Sequence, residues 1–591
     1  MNMEKILNIW GKGQILALSA LDGQTSSRHG LVFTTAEKEF ALLPRWPFNS
    51  GKIAFAGAPE NLFLASDMLE SSGVKAAFVD AFHFLIEAEN VSLDLPPELA
   101  VLHEGKRILI GTKANFNPEL IRIDLDSILA ERKRYFEELP DFSSTDTARR
   151  TLAKAYSQLK GQICSPEGFN ALHRWTTPDR WPHRHAWLWD SVFHALGLRH
   201  IDPALALETL EAVLDRQQPD GLIPHMMGVD CVSHFTQPPV LAFGISEVLK
   251  MKNDEAFLRR AFPKLERYVE WIMRHRDSDG LGLVEWDIEG NPLCRSGESG
   301  MDNSPRFDSA TQLDAPDFNA FLSLECECLA RFAESLNLPE KAAFWQAHHN
   351  RLNSLMNELL WDEESRIYMD RDVTTGKRTG ISASSGFLPL ICGAPSQEQV
   401  EKLLANLCDP ATFATPFRIP SISRKNTEAY AKDMWRGPVW ININWLIAFG
   451  LERYGMTADT RRILSETVAE EEKFYLKYGT FFEFYDDRNE CDPPLLCRKG
   501  KCAPEISPYN QVFHDYGWSA TLYIDMLAKL KSCPPANLYA PAGLPLPPVG
   551  GCYKKRKLHL QNNLHCSIVS YKQKRLTEED THAQYTRTVP N

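Results

Sequence analysis

Three features that would place this chain in a large functional class are missing from its sequence. Positive charge is in deficit, because 65 Lys and Arg stand against 77 Asp and Glu, for a net charge of −12. Nucleic-acid binding needs a basic surface that displaces counterions from phosphates, so a general nucleic-acid binder is excluded. No run reaches the ~18 apolar residues of a membrane span. The first residues, Met1 to Ile6, have neither the basic region nor the apolar run of a secretory signal. We therefore expect a cytoplasmic protein with no membrane partner and no nucleic-acid partner.

A CxxC pair is absent as well. The 13 cysteines are an odd number, and free thiols are the default in a reducing compartment. Cys491, Cys497 and Cys502, with His514 further along, match no CxxC knuckle, so an ordinary loop competes with a zinc site. We expect no metal and no other cofactor.

What the sequence does contain is a change of pattern near residue 122. Before it, short apolar segments are separated by Gly, Asn and Pro at turn positions, which predicts a β-rich N-terminal domain over residues 1–122. The predicted strands begin at Gly13, Gly30, Glu39, Ile53, Val91 and Arg107.

From Ile121 to Leu530 the pattern becomes helical, with about a dozen segments, many of them amphipathic with a period of 3.6 residues. They include residues 204–216, 256–276, 318–336, 340–360, 397–407, 440–454 and 460–478. Long loops rich in aromatic rings and carboxylates join them, and loops of that length are usually functional. Paired helices in this number predict a mainly α fold, an (α/α)6 barrel over residues 123–533 preceded by the small β-rich domain. A helical solenoid is the alternative, but the sequence has no fixed repeat period.

The last residues change character again. Six prolines between 534 and 548 form an extended spacer, and Lys554-Lys-Arg-Lys opens a polar tail. We expect residues 534–591 to be a Pro-rich spacer and a largely disordered basic tail. A localisation or anionic-surface signal is the alternative interpretation of the basic run.

Five motifs between residues 180 and 519 combine aromatic rings with polar groups. The first contains Trp187, Trp189, Asp190 and Ser191 and precedes an apolar helix start. Helix capping would account for Asp190 or Ser191 but not for the tryptophans. Indole faces stack on sugar rings while a nearby carboxylate accepts hydrogen bonds from hydroxyls, so this motif is typical of a sugar subsite.

The second motif is Pro219-Asp-Gly-Leu-Ile-Pro-His225, with Gln237 beyond it. Pro-Asp-Gly alone is an ordinary turn signal. In a barrel, however, this turn closes a helix and directs His225 and Gln237 to the same end as Asp190.

The third motif runs from Glu298 through Asp302 and Arg306 to Asp308, and it places three carboxylates and an arginine in eleven residues. A hydrated loop or a calcium loop is the alternative, but the spacing does not fit an EF-hand. In an aromatic-walled pocket a carboxylic acid has a raised pKa and keeps its proton near neutrality, as a general acid must.

The fourth motif, Trp435-Arg436-Gly-Pro, sets a helix start with Pro in its first turn. The Trp-Arg pair ahead of it is interpreted as a ligand wall and a hydrogen-bond donor. The fifth motif surrounds Glu483 with aromatic rings, including Tyr485, and Trp518 follows at the final helix. An exposed edge-strand glutamate is the alternative reading of Glu483.

These motifs, taken in order over roughly residues 163–530, resemble those of the clan that includes glycoside hydrolase family 63 and the bacterial mannosylglycerate and glucosylglycerate hydrolases, with trehalase more distant. The resemblance implies an (α/α)6 catalytic domain and an inverting mechanism, with Asp302 as general acid and Glu483 as general base. It also implies that Glu298 supports the loop of the acid. The residues that it implies for the sugar subsite are Trp189, Asp190, Gln237, Trp435 and Arg436. The segment 486–509 matches nothing in that pattern.

We therefore expect an inverting glycoside hydrolase that cleaves an α-linked glucoside or mannoside in a small oligosaccharide or glycosyl conjugate. A non-catalytic carbohydrate-binding protein, or a sugar epimerase or lyase on the same barrel, is the alternative. The residues that we expect to contact the saccharide are Trp187, Trp189, Asp190, His225, Gln237, Glu298, Arg306, Trp435, Arg436, Tyr485 and Trp518.

Overall fold

The computed structural model describes residues 33–36, 39–42, 52–56 and most of 63–532. Short gaps fall at 81–82, 96, 98, 114–115, 165–171, 180–182, 184, 229–231, 311, 501–511 and 514. The predicted strand at Gly13, the residues Cys502 and His514, and the predicted tail at 534–591 lie outside the described residues.

The strands of the N-terminal part form two antiparallel sheets. The first has the order β1 (Phe33–Ala36), β2 (Glu39–Leu42), β3 (Lys52–Ala56), β8 (Val91–Asp94). The second has the order β4 (Phe63–Ala65), β5 (Met68–Glu70), β6 (Val74–Phe78), β7 (His83–Ala88), β10 (Arg107–Thr112), β9 (Leu99–Glu104). Five of the predicted strands match β1, β2, β3, β8 and β10. Strands such as β7 were not predicted, since β7 is buried at nearly every position and lacks the alternation that marks a half-exposed strand.

Helices dominate the described chain from residue 125 onward. They are α1 (Leu125–Glu137), α2 (Asp146–Gln162), α3 (Leu188–Leu198), α4 (Pro203–Leu214), α5 (Leu241–Leu249), α6 (Glu255–His275), α7 (Pro316–Ser335), α8 (Pro339–Leu355), α9 (Gln397–Cys408), α10 (Ile441–Arg453), α11 (Thr457–Tyr478) and α12 (Gly517–Ser532). A 3-10 helix, Ser384–Cys392, lies between α8 and α9.

Six of these elements close into an inner ring. Each packs on the next in the order α3, α5, α7, the 3-10 helix, α10 and α12, and α12 packs back on α3. The helices α2, α4, α6, α8, α9 and α11 alternate with them along the chain and form the outer layer. The architecture is the predicted (α/α)6 barrel with a β-rich region in front of it.

Burial distinguishes the two layers. Every residue of α3 is buried, because an inner helix is surrounded by neighbours, whereas α6 buries one face and exposes the other. The 3-10 helix was not predicted, since Pro389 inside it removes a backbone donor that an α-helix needs.

The β-rich region meets the barrel through a buried ion cluster. Asp67, between β4 and β5, accepts from the ammonium of Lys160 on α2 at 2.6 Å, and both side chains are fully buried. Arg132 on α1 lies 3.2 Å from the same carboxylate. Beside it, the hydroxyl of Ser157 accepts from the backbone N–H of Ser66 at 2.8 Å. The domain boundaries at 122 and 533 stay predictions.

Two expectations concern membranes and disulfides. In the part of the chain that the structure describes, none of the helices is long and apolar enough to cross a membrane. No disulfide joins the cysteines of that same part.

Candidate active site

The predicted sugar-binding residues lie where inner helices begin. Asp190 is the third residue of α3, and Trp518 is the second residue of α12. Gln237 precedes α5, and its side-chain carbonyl accepts from the backbone N–H of Trp189 at 3.2 Å. Trp435 precedes α10. The starts of α3, α5, α10 and α12 are thus brought to one end of the barrel.

A continuous indole cluster connects three of these helix starts. The ring of Trp518 stands edge-on to that of Trp189, with centroids 5.3 Å apart, and lies 5.7 Å from that of Trp440. Trp440 in turn stacks on Trp435 at 3.9 Å. Rings in such a wall offer apolar faces and polar N–H edges together.

A second wall is formed by Trp187 and His225. Their rings meet edge to face at 4.9 Å, and His225 stacks on Phe235 at 4.2 Å. Burial lowers the pKa of His225 to about 3, so this imidazole is neutral. His183 extends the wall, since its ring lies 5.3 Å from that of Trp187.

Five of the predicted residues carry a buried polar atom without a hydrogen-bond partner in the described part of the chain. They are Asp190 (Oδ1), Trp187 (Nε1), His225 (Nδ1), Trp435 (Nε1) and Trp518 (Nε1). Buried polar atoms are almost always paired in folded proteins, and an unpaired one costs free energy. These four possible donors and one acceptor lie along the same walls. A ligand rich in hydroxyl groups would form hydrogen bonds with them.

Asp190 is the charged member of that group. Burial raises its pKa well above the usual value, and the negative charges of Asp179 and Glu483 act in the same direction. The N-terminal cap of α3 is Trp187, so Asp190 lies inside the first turn and is not the cap residue. Capping therefore does not account for Asp190.

The loop of residues 298–308, which carries the proposed acid Asp302 and is called the acid loop below, is held in place by neighbouring residues. The backbone carbonyl of Asp302 accepts from the N–H groups of Arg295 at 2.7 Å and Ser296 at 3.2 Å. Glu298 is fully buried and accepts from the guanidinium of Arg276 at 2.8 to 3.1 Å. Glu298 thus anchors the loop to Arg276.

Glu483 lies in a non-helical segment beside α10 and α12. Its N–H donates to the carbonyl of Phe513 at 3.0 Å, and two residues later Tyr485 exchanges backbone hydrogen bonds with Val439. The guanidinium of Arg498 binds both carboxylate oxygens, at 2.8 and 3.1 Å, and stacks 3.9 Å above the ring of Phe513. Glu483 is buried, and Arg498 is the cation that pairs with it among the residues that the structure describes.

The next residue, Lys499, binds the other predicted catalytic carboxylate. Its ammonium lies 2.9 Å from Oδ2 of Asp302, whose side chain is 21% exposed. Burial opposes ionisation of this carboxyl, but the charge and hydrogen bond of Lys499 outweigh it, so that the pKa of Asp302 is lowered. Asp302 and Glu483, 181 positions apart in the sequence, are thus held by two consecutive residues.

The segment that carries these cations, residues 497–500, is tied to the fourth motif. Cys497 forms a parallel bridge with Asp433, and the N–H of Gly500 donates to the Asp433 carboxylate at 2.7 Å. The N–H of Trp435 donates to the side-chain carbonyl of Asn303 at 3.0 Å, in the acid loop. The acid loop, the fourth motif and the segment 497–500 form one hydrogen-bonded unit.

Three predicted contact residues are paired with other residues of the protein. Arg306 is fully buried and forms ion pairs with Asp317 and Asp370. It therefore neutralises two carboxylates in the core. The hydroxyl of Tyr485 points into the core and accepts from the N–H of Phe482. Arg436 forms a two-point ion pair with Asp308 at 2.7 and 3.0 Å, which fixes the acid loop from its outer side. In this structure all three have structural partners instead of an open position.

Several residues at the site were not predicted. Arg498 and Lys499 are the most important, and the signal for them was an Arg-Lys pair in the segment 486–509 that matched no motif. Tyr516 is another, since it is buried and interacts electrostatically with Asp190 and Glu483. Its place two residues before Trp518 was the available sign.

Comparison with known proteins agrees with this geometry. Residues 183–519 match the family described as the mannosylglycerate hydrolase MGH1-like glycoside hydrolase domain. The chain is 26% identical to the mannosylglycerate hydrolase MGH1 of Selaginella moellendorffii, over 53% of this chain and 77% of that protein. It is 27% identical to the mannosylglycerate hydrolase of Thermus thermophilus, over 54% of this chain and 92% of that protein.

The solved structures include a match in fold. A GH63 mannosylglycerate hydrolase from Thermus thermophilus, in complex with glucose, superposes with a TM-score of 0.52 at 26% identity, covering 64% of this chain and 99% of that one. The family match spans more than half of the chain and includes both carboxylates and both indole walls. The chain belongs to the MGH1-like glycoside hydrolase family and is a hydrolase of O-glycosyl bonds.

Proposed function

We propose that this chain is an inverting hydrolase of a small α-linked glucoside or mannoside, with Asp302 as general acid and Glu483 as general base. The observation that carries the proposal is the pair of carboxylates held by Arg498 and Lys499 beside walls whose buried polar atoms lack partners. The sugar candidates come from the relatives, which are named for mannosylglycerate and in one case hold glucose.

The chemistry needs two proton carriers on opposite faces of the sugar. Asp302 donates a proton to the glycosidic oxygen as the bond from C1 to that oxygen breaks. Glu483 takes a proton from a water molecule, whose oxygen forms the new bond to C1 from the other face. The first product is therefore the β-anomer of the sugar together with the free alcohol.

The environment of each group supports its role. Arg498 donates to both carboxylate oxygens of Glu483 and fixes its orientation, as a base requires. Asp190 and the unpaired indole N–H groups supply hydrogen bonds for sugar hydroxyls, and these can strengthen as positive charge develops on the ring. Asp190 also lies close enough to Glu483 for their charges to interact, so both belong to one subsite.

The substrate is tested with a panel of α-glucosides and α-mannosides that includes glycerate glycosides and short disaccharides. Proton NMR of the first product formed distinguishes the mechanisms, since inversion releases the β-anomer and retention the α-anomer. Release of the α-anomer first would overturn the assignment of Glu483 as a base. Formation of an unsaturated sugar would identify a lyase.

A further inference from the structure

The two consecutive cations, Arg498 and Lys499, differ in their effect on the proposed catalytic carboxylates. Arg498 donates to both carboxylate oxygens of Glu483 and fixes the orientation of the proposed base. Lys499 opposes Asp302, because a general acid must carry a proton and a bound ammonium favours the ionised carboxylate. In the free enzyme Lys499 therefore favours the form of Asp302 that cannot donate a proton.

The remaining charged and titratable groups around Asp302 do not remove this conflict. Arg498 adds a second positive charge, and the thiol of Cys294 forms a hydrogen bond to the carboxylate. His225 is neutral, as described above. Glu289 is a negative neighbour in the described part of the chain, and its own pKa is raised, first by burial and then also by Asp302. Lys499 is the cation in direct contact with Asp302.

The position of Lys499 is imposed by the backbone. Its φ is +54°, a left-handed conformation that is uncommon for a residue with a side chain. The bridge from Cys497 to Asp433 and the hydrogen bond from Gly500 to the same aspartate hold the segment on both sides. The Lys499 side chain is only 25% exposed, so its ammonium needs another anion when it leaves Asp302.

We propose that Lys499 is a specificity-determining residue that holds Asp302 inactive until a leaving group with its own negative charge takes over the ammonium. This inference rests on the proposed function, since Asp302 must contact the glycosidic oxygen. Atoms attached to that oxygen then come within reach of an ammonium that lies 2.9 Å from the carboxylate. A carboxylate there binds Lys499, and Asp302 takes up a proton from solvent and becomes a competent acid. A neutral leaving group leaves the Lys499–Asp302 ion pair in place.

Two substrates that differ only at this point test the selectivity. An α-glycosyl glycerate carries a carboxylate where the corresponding α-glycosyl glycerol carries a hydroxymethyl group. We expect the wild-type chain to favour the glycerate by at least about tenfold in kcat/KM, and Lys499→Gln to lose most of that preference, because a favourable charge contact at a binding site is worth about this much. With the glycerol substrate, the alkaline limb of the pH profile should move to higher pH in Lys499→Gln, since the acid no longer faces the ammonium.

Proton uptake provides a second readout that needs no turnover. D-glycerate is titrated into the protein by calorimetry in buffers of different ionisation enthalpy, with glycerol as the neutral probe. We expect glycerate binding to the wild-type chain to take up protons, and this uptake to be absent in Lys499→Gln and in Asp302→Asn. Lys402→Gln on α9, which removes ion pairs with Glu363 and Glu398, serves as a matched control and should behave as the wild type.

The outcomes separate the two proposals. If the wild type cleaves neither glycoside, the proposed function fails and the specificity role of Lys499 fails with it, and proton uptake on glycerate binding then shows only that Lys499 and Asp302 bind a carboxylate. If the wild type cleaves the glycerate and Lys499→Gln keeps the same preference and the same proton uptake, the role of Lys499 is wrong and the hydrolase assignment stands.

Discussion

Gly300 lies directly against the indole ring of Trp189. A Cβ atom built at position 300 would come within 2.5 Å of Cζ2 of that ring, and Gly300 has a φ of +68°. The loop that carries Asp302 is therefore packed on the tryptophan wall through a position where a side chain does not fit. Distance and backbone conformation at this one residue couple the loop of the proposed acid to the proposed sugar-binding wall.

We predict that Gly300→Ala lowers both stability and activity. The left-handed backbone costs about 1–2 kcal/mol for a residue with a Cβ, and the contact with Trp189 adds to it. Chemical denaturation should report the loss of stability, and kcat/KM should fall as the loop shifts. Gly290→Ala is the matched control, because nothing lies within 4 Å of a Cβ at that position and its φ is not positive. Equal effects at 290 and 300 would contradict the interpretation.

Substitution of the predicted acid, Asp302, should lower turnover more than substitution of Glu298, which supports its loop. Asp302→Asn removes a proton carrier without changing shape, so turnover should fall by about 10²–10⁴-fold while sugar binding, measured by calorimetry, is retained. Glu298→Gln weakens the contact with Arg276 and should impair turnover less. An inactive Glu298→Gln beside an active Asp302→Asn would reverse the two roles.

Arg498 should contribute to stability as well as to the site. Arg498→Met leaves Glu483 buried without its counterion, which costs about 3–5 kcal/mol. The double variant Arg498→Met with Glu483→Gln should recover most of that loss, since no unpaired charge remains. Urea denaturation of both variants measures the difference. A double variant no more stable than Arg498→Met would show that the ion pair is not the cause.

A pH effect on stability is predicted from Glu325 on α7. Its carboxylate accepts from the N–H groups of Ala242 and Phe243 at the start of α5, at 2.9 and 2.8 Å, and burial raises its pKa to about 7. The folded state thus holds this proton more tightly than the unfolded state. The stabilisation from Glu325 is full below about pH 4.3 and is lost as the pH rises towards 7.

The matched variant isolates this contribution. Glu325→Gln cannot titrate, so the free energy of unfolding of the wild type, relative to Glu325→Gln, should fall by roughly 3 kcal/mol between pH 4.5 and 7. Denaturation curves at several pH values in that range measure it. A constant difference between the two proteins would show that Glu325 does not titrate there.

The sequence predicted those parts of the fold that depend on local pattern. The bounds predicted for α4, α6 and α9 agree with the structure within about two residues, since each has an apolar face at the helical period. The 3-10 helix at 384–392 was missed because Pro389 interrupts that period. Short strands buried on both sides, such as β7, carry no alternation to detect.

At the site, local pattern identified aromatic rings and carboxylates but not their ionic partners. Trp189 and Trp518 were recognisable because their motifs begin inner helices. Lys499 and Arg498 were not, since an ion pair between residues far apart in sequence leaves no periodic signal. For the same reason the sequence did not show that Arg306 pairs with Asp317 and Asp370 in the core.

The ion cluster between the β-rich region and α2 affects whether the barrel can be produced without the β-rich region. A recombinant barrel fragment that starts after residue 122 would lack Asp67, yet it would still carry Lys160 and Arg132 on the surface that Asp67 had covered. Two cations would then face each other with only the part-exposed carboxylate of Glu131, 3.5 Å from Arg132, as a counterion. Such a fragment should be recovered in folded form only with difficulty, and co-expression of the missing strands should rescue it.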